Sequence, residues 1–149
     1  VVEVVEFSLD IFNEDYLIFE SDEEEIITKM DRTQLVRIIT NLVKNAIQAI
    51  PEEQVEKSII VAVKQVENHV NINEKETMVE ITVTDNGIGI EEINREQIFE
   101  PKFTTKTSGM GLGLGIIKNI IENYKGTITF ETEYGKGTTF TVSLPIIEK

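Results

Sequence analysis

The sequence predicts an α+β fold, a two-layer sandwich in which helices pack on one face of a single β-sheet. Two long segments have apolar residues at helical spacing, and six shorter segments have the β-branched composition of strands. The chain has 149 residues, with neither an internal repeat nor a linker of biased composition. We therefore expect one domain that spans residues 1–149.

The N-terminal part is predicted to contain two short strands and then a long helix. The strands are expected in VEVVEFSLD and YLIFES. The helix is expected between Asp31, which is spaced with Gln34 for a capping box, and Pro51, which ends it. Its apolar side is predicted to comprise Leu35, Ile38, Ile39, Leu42, Val43, Ala46, Ile47 and Ile50.

The middle of the chain is predicted to form a β-hairpin. SIIVAVKQV and MVEITVTD are expected to be its strands, and the polar segment ENHVNINEKET is expected to be its tip. A short helix is expected in EEINREQIF. The following segment, from Glu100 to Ser108, is polar and has no periodicity, so we expect a loop there.

The C-terminal part is predicted to contain a second helix and a second hairpin. The helix is expected in LGLGIIKNIIENYKG, with Gly126 as its C-terminal stop. Its inward-facing residues are predicted to be Ile116, Ile117, Ile120, Ile121 and Tyr124. The strands TITFETE and TTFTVSLP flank YGKG, which is predicted to be a hairpin turn.

Composition excludes several classes of function. The formal net charge of -13 argues against a nucleic-acid partner, because such binding depends on Lys and Arg side chains that neutralise phosphates. The chain has no cysteine and one histidine, which excludes disulfides, thiolate metal sites and the usual zinc sites. It has no run of 18 apolar residues, and we expect no signal peptide and no direct membrane contact. We expect a cytoplasmic location for this chain, and anchoring of the full-length protein to the inner membrane stays open.

Asn41 and Asn45 are four residues apart in the first predicted helix, so their side chains lie on one side of it. Asparagine is a poor helix former and needs a reason in the middle of a helix. One interpretation is that both are solvent-facing polar residues. The other is that their amide oxygens are ligands for Mg²⁺, which binds few protein groups and keeps waters and phosphates.

The segment DNGIGI follows a predicted strand, and Asp85 lies at the strand end. One interpretation is an ordinary Asp-Asn-Gly turn. The other is a binding site in which the Asp85 carboxylate accepts a hydrogen bond from an exocyclic amine. Adenine has such an amine at position six, where guanine has a carbonyl group. Gly87 and Gly89 would then let a flat ring approach the backbone, because they carry no Cβ.

The segment FTTKTSGMGLGLGII has four glycines on alternate positions at the start of the second predicted helix. Glycine in a helix costs about 1 kcal/mol relative to alanine. The spacing fits neither a P-loop nor a dinucleotide-binding motif. It fits a helix N-terminus whose free N–H groups bind an anion locally, as an acidic protein requires.

These segments, in this order, resemble the ATP-binding catalytic domain of bacterial sensor histidine kinases, in the GHKL superfamily with the Bergerat fold. NLVKNAIQA resembles the N box of that family, DNGIGI its first glycine box and IFEPKFTTK its F box. GMGLGLGI resembles the second glycine box, and GKGTTFTVSLP the glycine-threonine box. The resemblance extends from Asp31 to Pro145 and implies a mixed, mostly antiparallel sheet.

The resemblance implies that ATP and Mg²⁺ bind this chain. Asn45, together with Asn41, would hold the Mg²⁺ ion. Asp85 would bind adenine, and Thr138 would share the water network around Asp85. The residues implied at the adenine end are Asp85, Gly87, Gly89 and Thr138.

The resemblance also implies a phosphate cradle and a lid over the nucleotide. The cradle would comprise Gly109, Gly111, Leu112 and Gly113. The lid would span residues 99–110, and Lys106, or less directly Lys102, would contact a phosphate. The other interpretation of each lysine is a solvated side chain. Phe99 and Phe103 are expected to be packing anchors of the lid.

Superfamily members that hydrolyse ATP carry a water-activating glutamate at the position of Asn41. An amide cannot accept a proton usefully near neutral pH, so the resemblance implies phosphoryl transfer rather than hydrolysis. The implied acceptor is a histidine on a helical dimerisation domain outside this chain, and the implied downstream partner is a response regulator. His69 lies in a polar segment and is expected to be an ordinary surface residue.

The catalytic candidates within the chain are Asn41 and Lys106. We expect the isolated chain to bind Mg·ATP without phosphorylating itself. Two alternatives stay open. One is a non-enzymatic nucleotide sensor of the same fold, and the other is a hydrolytic GHKL ATPase, which Asn41 disfavours.

Overall fold

The structure is a computed structural model that describes residues 1–10, 12, 14–21, 30–71, 74–99 and 111–146. The helices in these ranges are α1 (Val2–Leu9), α2 (Arg32–Ala49) and α3 (Gly111–Asn123), with a 3₁₀ turn at Glu92–Asn94. The strands are β1 (Leu17–Ser21), β2 (Ile59–Asn71), β3 (Glu74–Asp85), β4 (Thr127–Glu133) and β5 (Gly137–Pro145). No helix in these ranges has the length and apolar character that crossing a membrane requires.

The five strands form one sheet in the order β1-β2-β3-β5-β4. Strand β1 runs parallel to β2, and the other neighbours are antiparallel. One face is apolar, because every second residue of the inner strands is buried, as at Val61, Val83 and Phe140. Helices α2 and α3 pack against the sheet, and α1 packs against α2. The predicted α+β sandwich with a mixed, mostly antiparallel sheet is confirmed.

The N-terminal segment is a helix, so the strand predicted in VEVVEFSLD is wrong. Val2, Val5 and Leu9 recur at helical spacing and are buried in the core cluster that includes α2. The Arg32 guanidinium at the start of α2 lies 5.0 Å from the centre of the Phe7 ring, which adds a cation–π contact. Packing of an apolar stripe on a neighbouring helix therefore outweighs the strand preference of the valines.

Helix α2 follows the prediction, except for the capping of its N-terminus. The predicted apolar positions are buried, apart from Ile47, which is half-buried against the core. Asp31 is the N-cap residue, but its side chain makes no capping hydrogen bond, so the predicted capping box is not formed. The helix ends before Ile50, which is extended because the following Pro51 disfavours helical geometry in the residue before it.

The β2–β3 hairpin is longer than predicted. Its pairing continues from Ile59 opposite Asp85 out to Asn71 opposite Glu74, so the segment predicted as a polar tip is mostly strand. The outer part extends beyond the strands that flank it, since β1 pairs only as far as Val63 of β2. The helix predicted in EEINREQIF is reduced to the 3₁₀ turn at Glu92–Asn94.

Helix α3 turns a slightly different face to the core from the one predicted. Ile117 and Ile121 are buried, but Ile116 is 44% exposed, and Leu114 is buried in its place. At the C-terminus the left-handed residue is Lys125 (φ 63°), and Gly126 N–H donates to Ile121 O at 2.9 Å. Gly126 is needed for a different reason, because a Cβ there would collide with the carbonyl oxygen of Ser143.

Candidate functional site

Three polar residues form a row across the sheet at the end of its helix-covered face. Asp85, the last residue of β3, lies opposite Thr138 of β5, and Thr138 lies opposite Thr132 of β4. Directly opposite residues in antiparallel strands point to the same face, so the three side chains are neighbours. Asp85 is 7% exposed and Thr138 is 5% exposed. A buried carboxylate beside a buried hydroxyl is expensive to maintain, which marks this row as a candidate site.

The loop after Asp85 is held by its own hydrogen bonds and by the end of α2. Gly87 N–H donates to Asp85 Oδ1 at 2.9 Å, which fixes the carboxylate relative to the loop. Ile88 N–H donates to Ala49 O, at the C-terminus of α2, at 2.9 Å. A Cβ on Gly87 would collide with that same carbonyl oxygen. Close approach to α2 therefore requires a glycine at this position, and a role of Gly87 in approach of a ligand ring stays a prediction.

Gly89 and Gly137 allow close backbone contact between this loop and the β4–β5 hairpin. Gly89 has φ 75°, and a Cβ there would meet the backbone of Glu133 at the end of β4. Gly137 has φ 137°, and a Cβ there would collide with the carbonyl oxygen of Asp85. Gly135 N–H, in the hairpin turn, also donates to Ile88 O at 2.6 Å. The two glycine motifs, about 50 residues apart, are thus in direct backbone contact.

The hydroxyl group of Thr132 connects the three segments of the site, and the sequence analysis did not identify it. Ile90 N–H donates to Thr132 Oγ1 at 2.9 Å. The same oxygen lies 3.1 Å from Gly137 O and 2.8 Å from Thr138 Oγ1. Alternation along β4 from the buried Ile128 would have placed Thr132 on the core face, but its partners are set by strand pairing that the sequence does not specify.

Asn86 is a second residue whose contacts could not be predicted from the sequence. Its Oδ1 accepts a hydrogen bond from Ser58 N–H at 2.9 Å, and its Nδ2 donates to Glu56 O at 3.0 Å. Gln54 Nε2 also donates to the backbone oxygen of Asn86 at 2.9 Å. These bonds tie the loop between α2 and β2 to the residue next to Asp85, so both flanks of the Asp85 loop are anchored.

Asn41 and Asn45 lie on α2, which ends at this loop. Asn45 is one turn before Ala49, and a helix rises about 1.5 Å per residue, so it lies roughly 6 Å along the axis from the loop contact. Both side chains are half-buried, and Asn45 Nδ2 is buried without a hydrogen-bond partner. A buried amide that lacks a partner fits a site that a polar ligand completes.

The described residues contain no group of three or more His, Cys, Asp or Glu side chains that could hold a metal ion. Amide oxygens are hard ligands of the kind that Mg²⁺ accepts together with phosphate oxygens and waters. The unpartnered Asn45 Nδ2 is a donor and suits a phosphate oxygen, whereas Asn45 Oδ1 is the atom that could bind a magnesium ion arriving with a nucleotide. Asn41, one turn earlier on the same side of α2, is placed to contribute in the same way.

Phe99, the first residue of the predicted lid, packs against other aromatic rings. The Phe99 ring centre lies 5.9 Å from that of Phe130 and 6.5 Å from that of Phe140, and Lys118 Nζ lies 5.1 Å from the centre of the Phe99 ring. The prediction that Phe99 is a packing anchor is confirmed. The rest of the predicted lid, residues 100–110, with Lys102, Phe103, Lys106 and Gly109, lies outside the described residues.

Gly111, Leu112 and Gly113 form the first turn of α3. The first N–H groups of a helix have no partner within the helix, and the helix dipole adds about half a positive charge at that end. The predicted cradle residues within the described ranges are therefore at a helix N-terminus, as the sequence indicated. That position suits an anion, although the net charge of the chain opposes one at long range.

Comparison with known proteins shows which family the chain resembles. The model of the family described as "Histidine kinase-, DNA gyrase B-, and HSP90-like ATPase" matches residues 30–148. The sensor histidine kinase ZraS of Escherichia coli (strain K12) is 40% identical over 116 residues, which cover 78% of this chain and 22% of that protein. The chain spans about a quarter of the length of the curated relatives it matches.

Solved structures agree with this comparison. The catalytic domain of histidine kinase ThkA superposes with a TM-score of 0.76 at 31% identity, covering 96% of this chain and 92% of that one. A complex of ThkA with the response regulator protein TrrA gives 0.72 at 29% identity, covering 97% of this chain and 40% of that one. The chain therefore belongs to the family of histidine kinase-, DNA gyrase B- and HSP90-like ATPases.

Proposed function

We propose that the chain is the nucleotide-binding catalytic domain of a histidine kinase. It binds Mg·ATP, and it transfers the γ-phosphoryl group to a histidine on a separate helical dimerisation domain. The observation that carries the proposal is the buried Asp85 carboxylate, which lies opposite Thr138 in the strand register. The loop after Asp85 contacts the C-terminus of α2, the helix that carries Asn45. The matching ATPase family and the relatives named sensor histidine kinases give the class of reaction.

The Asp85 carboxylate is the group that would recognise adenine. It is buried, and its Oδ1 accepts a hydrogen bond from Gly87 N–H, which orients the carboxylate. An exocyclic amine can donate to a carboxylate held in this way. A carbonyl at the same position on the base would face an acceptor and leave both groups unpaired, which costs about 1–3 kcal/mol.

The triphosphate would lie between α2 and the start of α3. Asn45 and Asn41 would hold a Mg²⁺ ion there through their amide oxygens, and Gly111, Leu112 and Gly113 would offer N–H groups to phosphate oxygens. When bound, Mg²⁺ supplies charge that offsets the phosphates. Lys106 of the lid is a candidate for a further phosphate contact. In such a reaction the protein contributes mainly positioning and electrostatic stabilisation.

In the proposed reaction a ring nitrogen of the acceptor histidine attacks the γ-phosphorus. The new N–P bond forms as the bond between that phosphorus and the bridging oxygen breaks, and ADP leaves with the electron pair. Asn41 stands where hydrolytic relatives have a glutamate, so α2 offers no carboxylate to activate water. The absence of such a base at that position favours transfer over hydrolysis.

The wider setting follows from the same proposal. His69 lies opposite Lys75 in the outer β2–β3 hairpin, and we propose that the acceptor histidine lies in another domain. The complex of ThkA with a response regulator supports two-component signalling, with a response regulator as the downstream partner. The charge of -13 disfavours nucleic acid, and we expect the domain to work in the cytoplasm without touching the membrane.

The proposal is tested by mixing the chain with γ-labelled ATP, Mg²⁺ and a phosphoacceptor domain from a histidine kinase of this type. Label is expected on the acceptor domain and not on this chain. Stable label on this chain would contradict the expectation that it cannot phosphorylate itself. Nucleotide binding without transfer to any acceptor would favour the non-enzymatic sensor instead.

The matched variant is Asp85→Asn, which keeps an oxygen for Gly87 N–H but loses the charge and one acceptor. Its affinity for ADP in calorimetry is expected to fall at least about tenfold, because a hydrogen bond to a charged group contributes roughly 1.5–3 kcal/mol. Its thermal unfolding should stay close to that of the unmodified chain. Unchanged ADP affinity would reject the role given to Asp85.

A further inference from the structure

We propose that Thr132 is a specificity-determining positioning residue. Its hydroxyl group fixes the proton of the Thr138 hydroxyl, so that the base-binding end of the site presents only hydrogen-bond acceptors. The inference rests on the proposed function, because it concerns how the same site selects the base of a nucleotide. Thr132 belongs to none of the sequence motifs that carry the family resemblance.

The contacts of Thr132 Oγ1 determine which hydroxyl group donates to which, because this oxygen has one proton and two lone pairs. Ile90 N–H donates to one lone pair at 2.9 Å. The carbonyl oxygen of Gly137, 3.1 Å away, can only accept, so it takes the proton of Thr132. The second lone pair then faces Thr138 Oγ1 at 2.8 Å, and Thr138 has to donate across that contact. One proton arrangement satisfies all three contacts together.

The consequence concerns Thr138. Once the Thr138 hydroxyl donates its proton to Thr132, the Thr138 oxygen can only accept further hydrogen bonds. Thr138 lies opposite Asp85 in the strand register. Asp85 is also an acceptor. Both residues are less than 10% exposed, so water has little access to a ligand group that faces them. Two neighbouring acceptors, the Asp85 carboxylate and the Thr138 oxygen, favour an exocyclic amine at position six of the purine and disfavour a carbonyl group there.

Removing the Thr132 hydroxyl should therefore relax the choice of base. In Thr132→Val the Thr138 hydroxyl loses its acceptor and can rotate, so it can donate to a carbonyl oxygen. The probes are ADP and IDP, which differ at position six, where IDP carries a carbonyl in place of the amine. The affinity ratio of ADP to IDP, measured by calorimetry with Mg²⁺, is expected to fall about fivefold or more, equivalent to one hydrogen bond.

Two variants separate this role from a structural one. Thr132→Ser keeps the hydroxyl group and should keep the ratio. Thr139→Val removes a hydroxyl from the opposite face of the sheet, where Thr139 Oγ1 donates to Thr84 Oγ1, and should also leave the ratio unchanged. On a Thr138→Val background, Thr132→Val should no longer change the ratio, because no hydroxyl remains to be released.

The outcomes distinguish the two proposals. Equal weakening of ADP and IDP in Thr132→Val would overturn the inference and leave the proposed function standing. Failure of the unmodified chain to bind either nucleotide would overturn both. If Thr132→Val does not fold, Thr132→Ala makes the same test without adding a methyl group, and the unchanged ratio in that variant would equally reject the inference.

Discussion

The two faces of strand β5 carry threonines at adjacent positions in opposite environments. Thr138 is buried on the helix-covered face, in the row with Asp85 and Thr132. Thr139 is half-buried on the open face and donates to Thr84 Oγ1 at 3.1 Å. Because side chains alternate along a strand, one step in sequence separates a residue of the proposed binding site from a residue of the sheet surface.

The comparison extends along the whole strand. On the helix-covered face Thr138 is followed by Phe140, Val142 and Leu144, all buried, whereas the open face carries Thr141 and Ser143, which are half-buried. The polar row of the site is therefore where the apolar face of the sheet ends, next to the C-terminus of α2. A threonine there is isolated from water, and a threonine one residue later is not.

Among changes to the helix-covered face of β5, the largest effect is expected from Gly137→Ala. The new Cβ would collide with the carbonyl oxygen of Asp85, and φ 137° is strained for alanine, so we expect the free energy of unfolding to fall by about 3 kcal/mol. Nucleotide affinity should also fall, because the row would separate. Denaturant unfolding and calorimetry measure the two effects.

The control is Gly135→Ala in the same hairpin turn. Gly135 also has a positive φ, 91°, but nothing lies within 4 Å of the Cβ position. Backbone strain alone should cost about 1–2 kcal/mol there. Equal losses for the two variants would mean that the contact between Gly137 and Asp85 is not what constrains the site.

A smaller loss is expected from Asn86→Ala, which removes the anchor behind Asp85. Ser58 N–H would lose its acceptor and Glu56 O its donor, so we expect the free energy of unfolding to fall by about 1–3 kcal/mol. Gln54→Ala removes donors to Asn86 from the other side of the same loop and should cost less, since its bonds are partly exposed. A neutral Asn86→Ala in urea unfolding would show that the anchor is dispensable.

Much of this arrangement could be predicted from the sequence. Helix α2 and the strand that ends at Asp85 have strong periodicity, and the glycine motifs by themselves indicate a nucleotide site. The errors have physical causes. The N-terminal valines fit a strand pattern and a helix pattern alike, and only packing against α2 selects the helix.

The parts of the site that could not be predicted depend on strand pairing. Thr132 and Thr138 are six residues apart, and Ile90 lies more than 40 residues earlier, so their contacts follow from which strands become neighbours. Asn86 looked like an ordinary turn residue, because its partners lie in the loop after α2. The close approach of Gly87 to Ala49 could not be predicted either, because it depends on how the loop meets the end of α2.

The smallest effect is expected from Thr139→Val on the open face. Valine has the shape of threonine and a high strand preference, and the bond that it removes, to Thr84, is partly exposed. The free energy of unfolding should change by no more than about 0.5 kcal/mol in either direction. ADP affinity should not change. If Thr139→Val weakened ADP binding as much as Thr138→Val, the two faces would not differ in function, and the position of the site on the helix-covered face would be wrong.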